Sequence, residues 1–364
     1  MTPYFIFFSI FAFLSLKPFN FDEKLSKFVW AFIILIGTLF IGLRHEVGGD
    51  WINYLENLRF IEDNNYSVWL NFTKFDIGYQ LLAFAGSRFG MGIYGANLLS
   101  GLIVMSCLAY FARRQPYPWI SMLVAVPFFI IAVNMGTIRQ GLAVSISLVA
   151  LTQLEKSQLK YFLIILLAFF FHKSVLVMFG LLFVKNIRLY TILFLAALVF
   201  IFFRFLISIE AYEILFMSYL IEPDYQSDGA LIRLGISLIP TIAMFLFYKD
   251  LNETFPDTWI YLWFGIATII LITMTPTLST LADRLAYYTI PIQFAIWPRI
   301  IAIQKNELIR EYFAICIILA YLLILFVWLN FANHAFAWIP YDIVWFKEGA
   351  SATSKLCYHH WCSF

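Results

Sequence analysis

Three short strings in the chain place charged and hydroxyl groups where their apolar surroundings make such groups costly. The first, residues 42–54, reads Gly-Leu-Arg-His-Glu-Val-Gly-Gly-Asp-Trp-Ile-Asn-Tyr. Its paired glycines, Gly48 and Gly49, let backbone approach a ligand closely, and Glu46 and Asp50 set carboxylates beside Arg44. A helix C-cap followed by a solvated loop is the plainer reading of the same residues. The second string, Gly136-Thr137-Ile138-Arg139-Gln140, opens an apolar run. Free amides at a helix N-terminus, together with the Arg139 guanidinium, favour an anion. The third, Phe171-His172-Lys173-Ser174, interrupts another apolar run. A single histidine in a helix is usually a packing residue, but three consecutive polar groups at a break require water or a ligand. The chemistry these strings suggest is anion binding beside groups able to move a proton. Arginine suits phosphate oxygens because its planar fork stays charged and binds them in pairs.

The elements that position these strings are membrane helices. Of the 364 residues, 62% are hydrophobic, 20% aromatic and only 13% charged. A soluble domain needs roughly a quarter charged residues to cover its surface, so much of this surface faces something other than water. The formal net charge of +2 argues against nucleic acid as a partner. Crossing a bilayer takes about 20 residues, and about 17 at the short end. Runs at 92–111, 117–133, 137–154, 189–207, 231–248, 259–274, 285–303 and 312–330 meet this, with 28–43 slightly short and 3–16 marginal. The run 161–184 is divided by His172 and Lys173, as one long helix or two short ones meeting there. The apolar stretch at 80–89 lies on or dips into the outer face. The reading is an all-α polytopic bundle of about 12 membrane segments, 1–345 as one domain, with an outer-face cavity and a tail at 346–364.

Basic residues in short loops mark the cytoplasmic side. Placing Lys17/Lys24/Lys27, Arg113/Arg114, Lys156/Lys160, Lys185/Arg188, Lys249 and Lys305/Arg310 there puts both termini outside. The opposite loops are acidic: residues 44–76 hold three Lys/Arg against six Asp/Glu, and 208–230 hold five acids and no base. On this topology Arg44, Arg139, Arg204, Arg233 and Arg284 gather at the outer level, with Arg284 opening the 285–303 helix. Each could snorkel separately to the headgroups. Five at one depth, on the disfavoured side, point instead to a shared anionic ligand such as a lipid-linked phosphate or pyrophosphate. Sugars are the other guest, since tryptophans and tyrosines lie near helix ends.

At these strings the chain resembles the EpsG family of bacterial exopolysaccharide polymerases, relatives of the Wzy polymerases of O-antigen and capsule synthesis. The matching pieces are residues 42–54 with Arg44, Gly48, Asp50 and Tyr54; Ile138-Arg139-Gln140; Phe171-His172-Lys173-Ser174; Asp283-Arg284 with Tyr287; and Trp338-Ile339-Pro340-Tyr341. The resemblance implies transfer of a glycan from undecaprenyl pyrophosphate onto a lipid-linked acceptor, at the outer face of the bacterial plasma membrane. It implies no cofactor or metal, with the bilayer, the lipid-linked oligosaccharide and a chain-length regulator as partners. Arg44, Arg139 and Arg284 are assigned to the pyrophosphates, with Gln140, Lys173, Asp283 and Tyr287 around the substrate and Arg233 in support. Arginines there stabilise the leaving group's charge. His172, Asp50 or Glu46 takes the acceptor's proton. Two rival classes remain open: a ligase-like transferase, and a transporter or flippase of lipid-linked sugars. The tail at 355–364, with Cys357, His359, His360 and Cys362, has no counterpart in the family and lacks zinc spacing.

Overall fold

The computed structural model describes residues 1–16, 22–63, 76–184, 227 and 229–344. The run at 189–207 with Arg204, nearly all of the acidic loop at 208–230, and the tail lie outside these residues. Apart from a two-stranded pairing of β1 (Arg44–His45) with β2 (Asp342–Ile343), the described elements are helical. In chain order they are α1 (Thr2–Leu16), α2 (Glu23–Gly42), α3 (Trp51–Asp63), α4 (Ile77–Arg88), α5 (Gly92–Ala112), α6 (Pro118–Gly136), α7 (Ile138–Leu154), α8 (Gln158–Phe169) and α9 (Lys173–Val184). After the undescribed stretch come α10 (Ala230–Leu246), α11 (Tyr248–Thr254), α12 (Thr258–Ala286), α13 (Pro291–Ile303) and α14 (Glu307–Phe331).

The chain is a multi-pass membrane protein. α2, α5, α6, α12 and α14 are long and apolar enough to cross, and α10 with α11, bent by 80°, makes a sixth if taken as one span. On α2, Phe28, Phe32, Leu35 and Leu39 are all exposed, on the spacing of one helical face. Such a stripe is stable against lipid and not against water. α6 is the reverse, 94% buried in its apolar window, and forms the centre around which the others pack.

Five or six full-length spans are found among the described residues, and the expected count of about 12 membrane segments is not shown by them. Among the described residues α1, α7, α8, α9 and α13 are apolar but only 10–17 residues long. Polar breaks shorten them. The 161–184 run divides at His172 into α8 and α9, the second of the two readings open from the sequence, and the 80–89 stretch becomes the 12-residue α4. The 285–303 boundary is corrected: α12 continues to Ala286, so Arg284 ends a helix instead of opening one. Pro276 removes one helical hydrogen bond and the backbone kinks at Leu278 (φ −132°, ψ 49°), but the helix resumes. The true break is the turn before Pro291, which sits in the first turn of α13, where its missing N–H costs nothing.

The N-terminal caps are local. Asp22, Ser157 and Asn306 each accept a hydrogen bond from an amide in the first turn of α2, α8 and α14. Closure at one end of the bundle is long-range: the segment after α14 returns to pair β2 with β1. There the Tyr4 hydroxyl donates to the Trp338 carbonyl (2.7 Å), the Trp338 indole to the Ile131 carbonyl (3.0 Å) and the Tyr341 hydroxyl to the Phe40 carbonyl (2.7 Å).

Candidate functional site

The closed end of the bundle collects the three strings. Gly48 shows why the first contains glycine. Its φ is +112°, its N–H donates to Ala337, and an added Cβ would lie 2.0 Å from the Met135 carbonyl oxygen. The glycine thus lets the α2–α3 turn lie directly on the end of α6. Arg44, just before it, is 1% exposed. Its Nε donates to the Val47 carbonyl (3.1 Å), one Nη to the Ile41 carbonyl and the other to Asn97 Oδ1 (3.5 Å). Burial lowers its pKa to about 10, which leaves it charged, and the fork knits the turn together. Arg44 is enclosed by protein and presents no free edge to a ligand.

Glu46 also stands apart from the other charges. Its carboxylate meets His45 Nε2 at 3.4 Å, while His45 Nδ1 lies 2.7 Å from the Tyr94 hydroxyl. Asp50 does face the site. Burial raises its pKa, opposed by the positive charges of Arg284 and Arg139 and by a hydrogen bond with Asn53. One turn into α3, the Tyr54 hydroxyl accepts the Arg139 backbone N–H at 3.3 Å.

Arg139 lies in the first turn of α7, as the sequence indicates, with its side chain 34% exposed. Its guanidinium pairs with Asp76 at 3.2 Å. The next residue, Gln140, is buried and joins two other segments. Its amide nitrogen donates to the Arg284 carbonyl (2.5 Å) and to Ser174 Oγ (3.3 Å), and its oxygen accepts from Arg284 Nη1 (3.4 Å). Gln140 therefore ties the start of α7 to the end of α12 and to the break between α8 and α9.

At that break His172 caps α9. Its Nδ1 accepts the Ser174 N–H (3.3 Å) and lies 2.6 Å from Ser174 Oγ, which in turn contacts the Tyr288 hydroxyl at 2.9 Å. Burial, then the charges of Arg139, Arg284 and Lys173, lower the His172 pKa to about 3. A ring nitrogen that accepts from an amide carries no proton, so the neutral imidazole holds its proton on Nε2. His172 is thus arranged as a donor.

Asp283 and Arg233 form a second pair at this end, bonded directly, with Ser227 Oγ donating to Asp283 (3.0 Å) and accepting from Arg233 (2.7 Å). Tyr287 is buried between the two groups: its hydroxyl bonds Thr137, and Arg233, Arg284 and Asp283 all lie within electrostatic reach.

Of the residues singled out from sequence, Asp50, Arg139, Gln140, His172, Lys173 and Arg284 form one cluster. Arg233, Asp283 and Tyr287 flank it, while Arg44 and Glu46 are held in the adjoining turn. Asp76, Ser174, Tyr54 and Tyr288 complete the cluster without having been picked out as site residues. Tyr54 and Ser174 lay inside the strings already noted. Asp76 had a weaker signal, an acid immediately before an apolar helix start. Among the described residues no group of three or more metal-ligating side chains occurs.

The model of the EpsG family matches residues 27–343, nearly the whole chain. No curated protein and no solved structure matches it.

Proposed function

Because the chain belongs to the EpsG family, we propose that it is a polysaccharide polymerase, a membrane glycosyltransferase acting on lipid-linked repeat units. The donor glycan leaves undecaprenyl pyrophosphate and joins a hydroxyl of a lipid-linked acceptor, at the outer face of the bacterial plasma membrane. The product is an exopolysaccharide, capsule or O-antigen.

One observation carries this reading. Three cations from separate segments, Arg139 on α7, Arg284 on α12 and Lys173 on α9, act together on the half-buried ring of His172. Convergence of that kind is unfavourable without negative charge among the cations. Asp50 and Asp76 supply part of it. The pyrophosphate supplies the rest as it departs. The Arg139 side chain is 34% exposed, so its fork offers a first contact. Arg284 and Lys173 neutralise charge on the leaving oxygens, and the His172 Nε2–H donates to them. Fixed donors aimed at developing charge are worth more in a water-poor site than in water, because they need no reorganisation during the reaction. Arg233 and Asp283 hold the end of α12 and so orient Arg284.

The test is polymerisation in membrane vesicles carrying the full chain, supplied with lipid-linked repeat units extracted from cells in which it is deleted. The wild type is expected to give a ladder of long chains, and Arg139→Ala and Arg284→Ala only single units. Ladders of wild-type length from the double variant Arg139→Ala/Arg284→Ala defeat the proposal.

A further inference from the structure

A hydroxyl attacking an anomeric carbon must lose its proton, and the geometry points to Asp76 as the group that receives it. The inference rests on the polymerase reading above and assigns a role within the same site.

Asp76 is the N-cap of α4, with its backbone carbonyl accepting the Tyr79 and Gln80 amides. An aspartate in that position normally turns its carboxylate onto the amides of its own first turn. This one makes no such bond and meets Arg139 instead, at 3.2 Å. The carboxylate is withdrawn from its usual structural use and held 9% exposed beside a guanidinium that is 34% exposed. Its position is fixed from behind. The Gly78 N–H donates to the Phe170 carbonyl at 2.8 Å, and an added Cβ on Gly78 would lie 2.8 Å from the Phe171 ring. The start of α4 is thereby clamped to the loop that carries His172 and Lys173.

The other candidates are otherwise engaged. His172 Nδ1 is occupied by Ser174, its proton is on Nε2, and three cations oppose a second one. Glu46 pairs with His45 in the neighbouring turn. Asp50 is bonded by Asn53 and faces two arginines, the arrangement of a counterion. Asp76 also has suitable basicity: burial lifts its pKa to about 6, against the lowering effect of Arg139 and Lys173. It is ionised at neutral pH and still able to take a proton in a transition state.

The step balances. The acceptor oxygen forms a bond to the anomeric carbon as the bond from that carbon to the pyrophosphate oxygen breaks. The bonding pair leaves with the pyrophosphate, and the hydroxyl proton passes to the Asp76 carboxylate, which later returns it to solvent.

The vesicle assay, run from pH 5 to 8, decides the matter. The wild-type rate is expected to fall toward tenfold per pH unit below about pH 6, as Asp76 protonates. Asp76→Asn is expected to lose on the order of 100-fold or more in rate. Its binding of undecaprenyl pyrophosphate should stay within about threefold of wild type, and Asp76→Glu should recover part of the rate with a displaced acid limb. A structural ion pair predicts otherwise: Asp76→Asn would weaken binding and rate in proportion and leave the acid limb in place. That result overturns the assignment. If Asp76→Asn does not accumulate in the membrane, Asp76→Glu carries the test, and an unmoved acid limb is the overturning outcome. Wild-type vesicles that polymerise while Asp76→Asn matches them remove only the proton acceptor. Wild-type vesicles that never polymerise remove the polymerase reading and this role with it.

Discussion

Two arginine clusters sit at opposite ends of α6, roughly 25 Å apart by the rise of that helix. At one end Arg299 of α13 is 4% exposed. Its Nε donates to Gln115 (3.1 Å), one Nη to Asp257 (2.8 Å), and its guanidinium carbon lies 4.7 Å from both the Phe255 and Tyr261 rings. Only its Nη1 lacks a protein partner. At the other end Arg139 is paired with one carboxylate, Asp76, with Asp50 in electrostatic reach, one distant aromatic face at 6.0 Å and a third of its side chain open. The contrast separates two uses of a cation within a membrane protein. Arg299 joins the α5–α6 and α11–α12 connections to α13 and is enclosed by what it joins. Arg139 is held by Asp76 and left partly accessible, which is what its proposed role in binding the pyrophosphate requires. Arg44 belongs with Arg299 in this respect, although it lies at the Arg139 end.

The largest expected effect tests the enclosed cluster. Arg299→Ala leaves Asp257 and Gln115 without their charged partner and is expected to destabilise the fold by about 3 kcal/mol or more, read as lost thermal stability in detergent. Arg139→Ala should change that melting temperature little while abolishing polymer. If both variants melt alike, the division between structural and ligand-binding arginines collapses. Arg139→Lys sharpens the same point: it keeps the charge but not the planar fork, and an activity loss on the order of tenfold or more is expected. A rate equal to wild type would mean that charge alone is needed there.

Gly48→Ala should destabilise by roughly 1–3 kcal/mol, because it imposes an unfavourable φ, and the added carbon would meet the Met135 carbonyl. A mutant as stable as wild type would show that the turn can move off α6. The smallest effect concerns pH. The His172 pKa is lowered from 6.5 to about 3, so the unfolded chain binds a proton that the folded chain refuses, and stability falls as pH drops below 6.5. The Asp76 pKa is raised from 3.8 to about 6, so its contribution is present below 3.8 and is lost as pH rises through 6. The two oppose each other between pH 4 and 6. Wild-type melting should therefore vary little across that window, whereas His172→Gln should melt at progressively lower temperature from pH 4 to 6. A His172→Gln profile parallel to wild type would show that the ring is not held neutral.

Much of this end could be read from sequence because its signals are local. An arginine opening a helix, a polar break in an apolar run and paired glycines each follow from neighbouring residues. Arg44 could not be assigned in that way, since what encloses it includes Asn97 and a strand pairing with Ile343. Asp76 looked like one more acid in an acidic loop, because its partner lies 63 residues further on. The sequence puts Arg284 at the start of a helix, whereas Pro276 kinks α12 without ending it, and no local rule tells a kink from a stop. The short apolar helices have a similar origin: hydropathy registers apolar length, whereas His172, Thr137 and the turn before Pro291 decide where a helix stops.

The pairing of Arg44 with Ile343 carries a consequence for biogenesis. The lid over the α2 turn comes from residues that leave the ribosome about 300 positions after the turn itself. A nascent chain that already holds its early helices in the bilayer leaves this end unsealed until the residues around Ile343 have been made. A stop codon shortly before Ala335 removes β2 and the Trp338 and Tyr341 hydrogen bonds, and should give an inserted chain with this end unsealed.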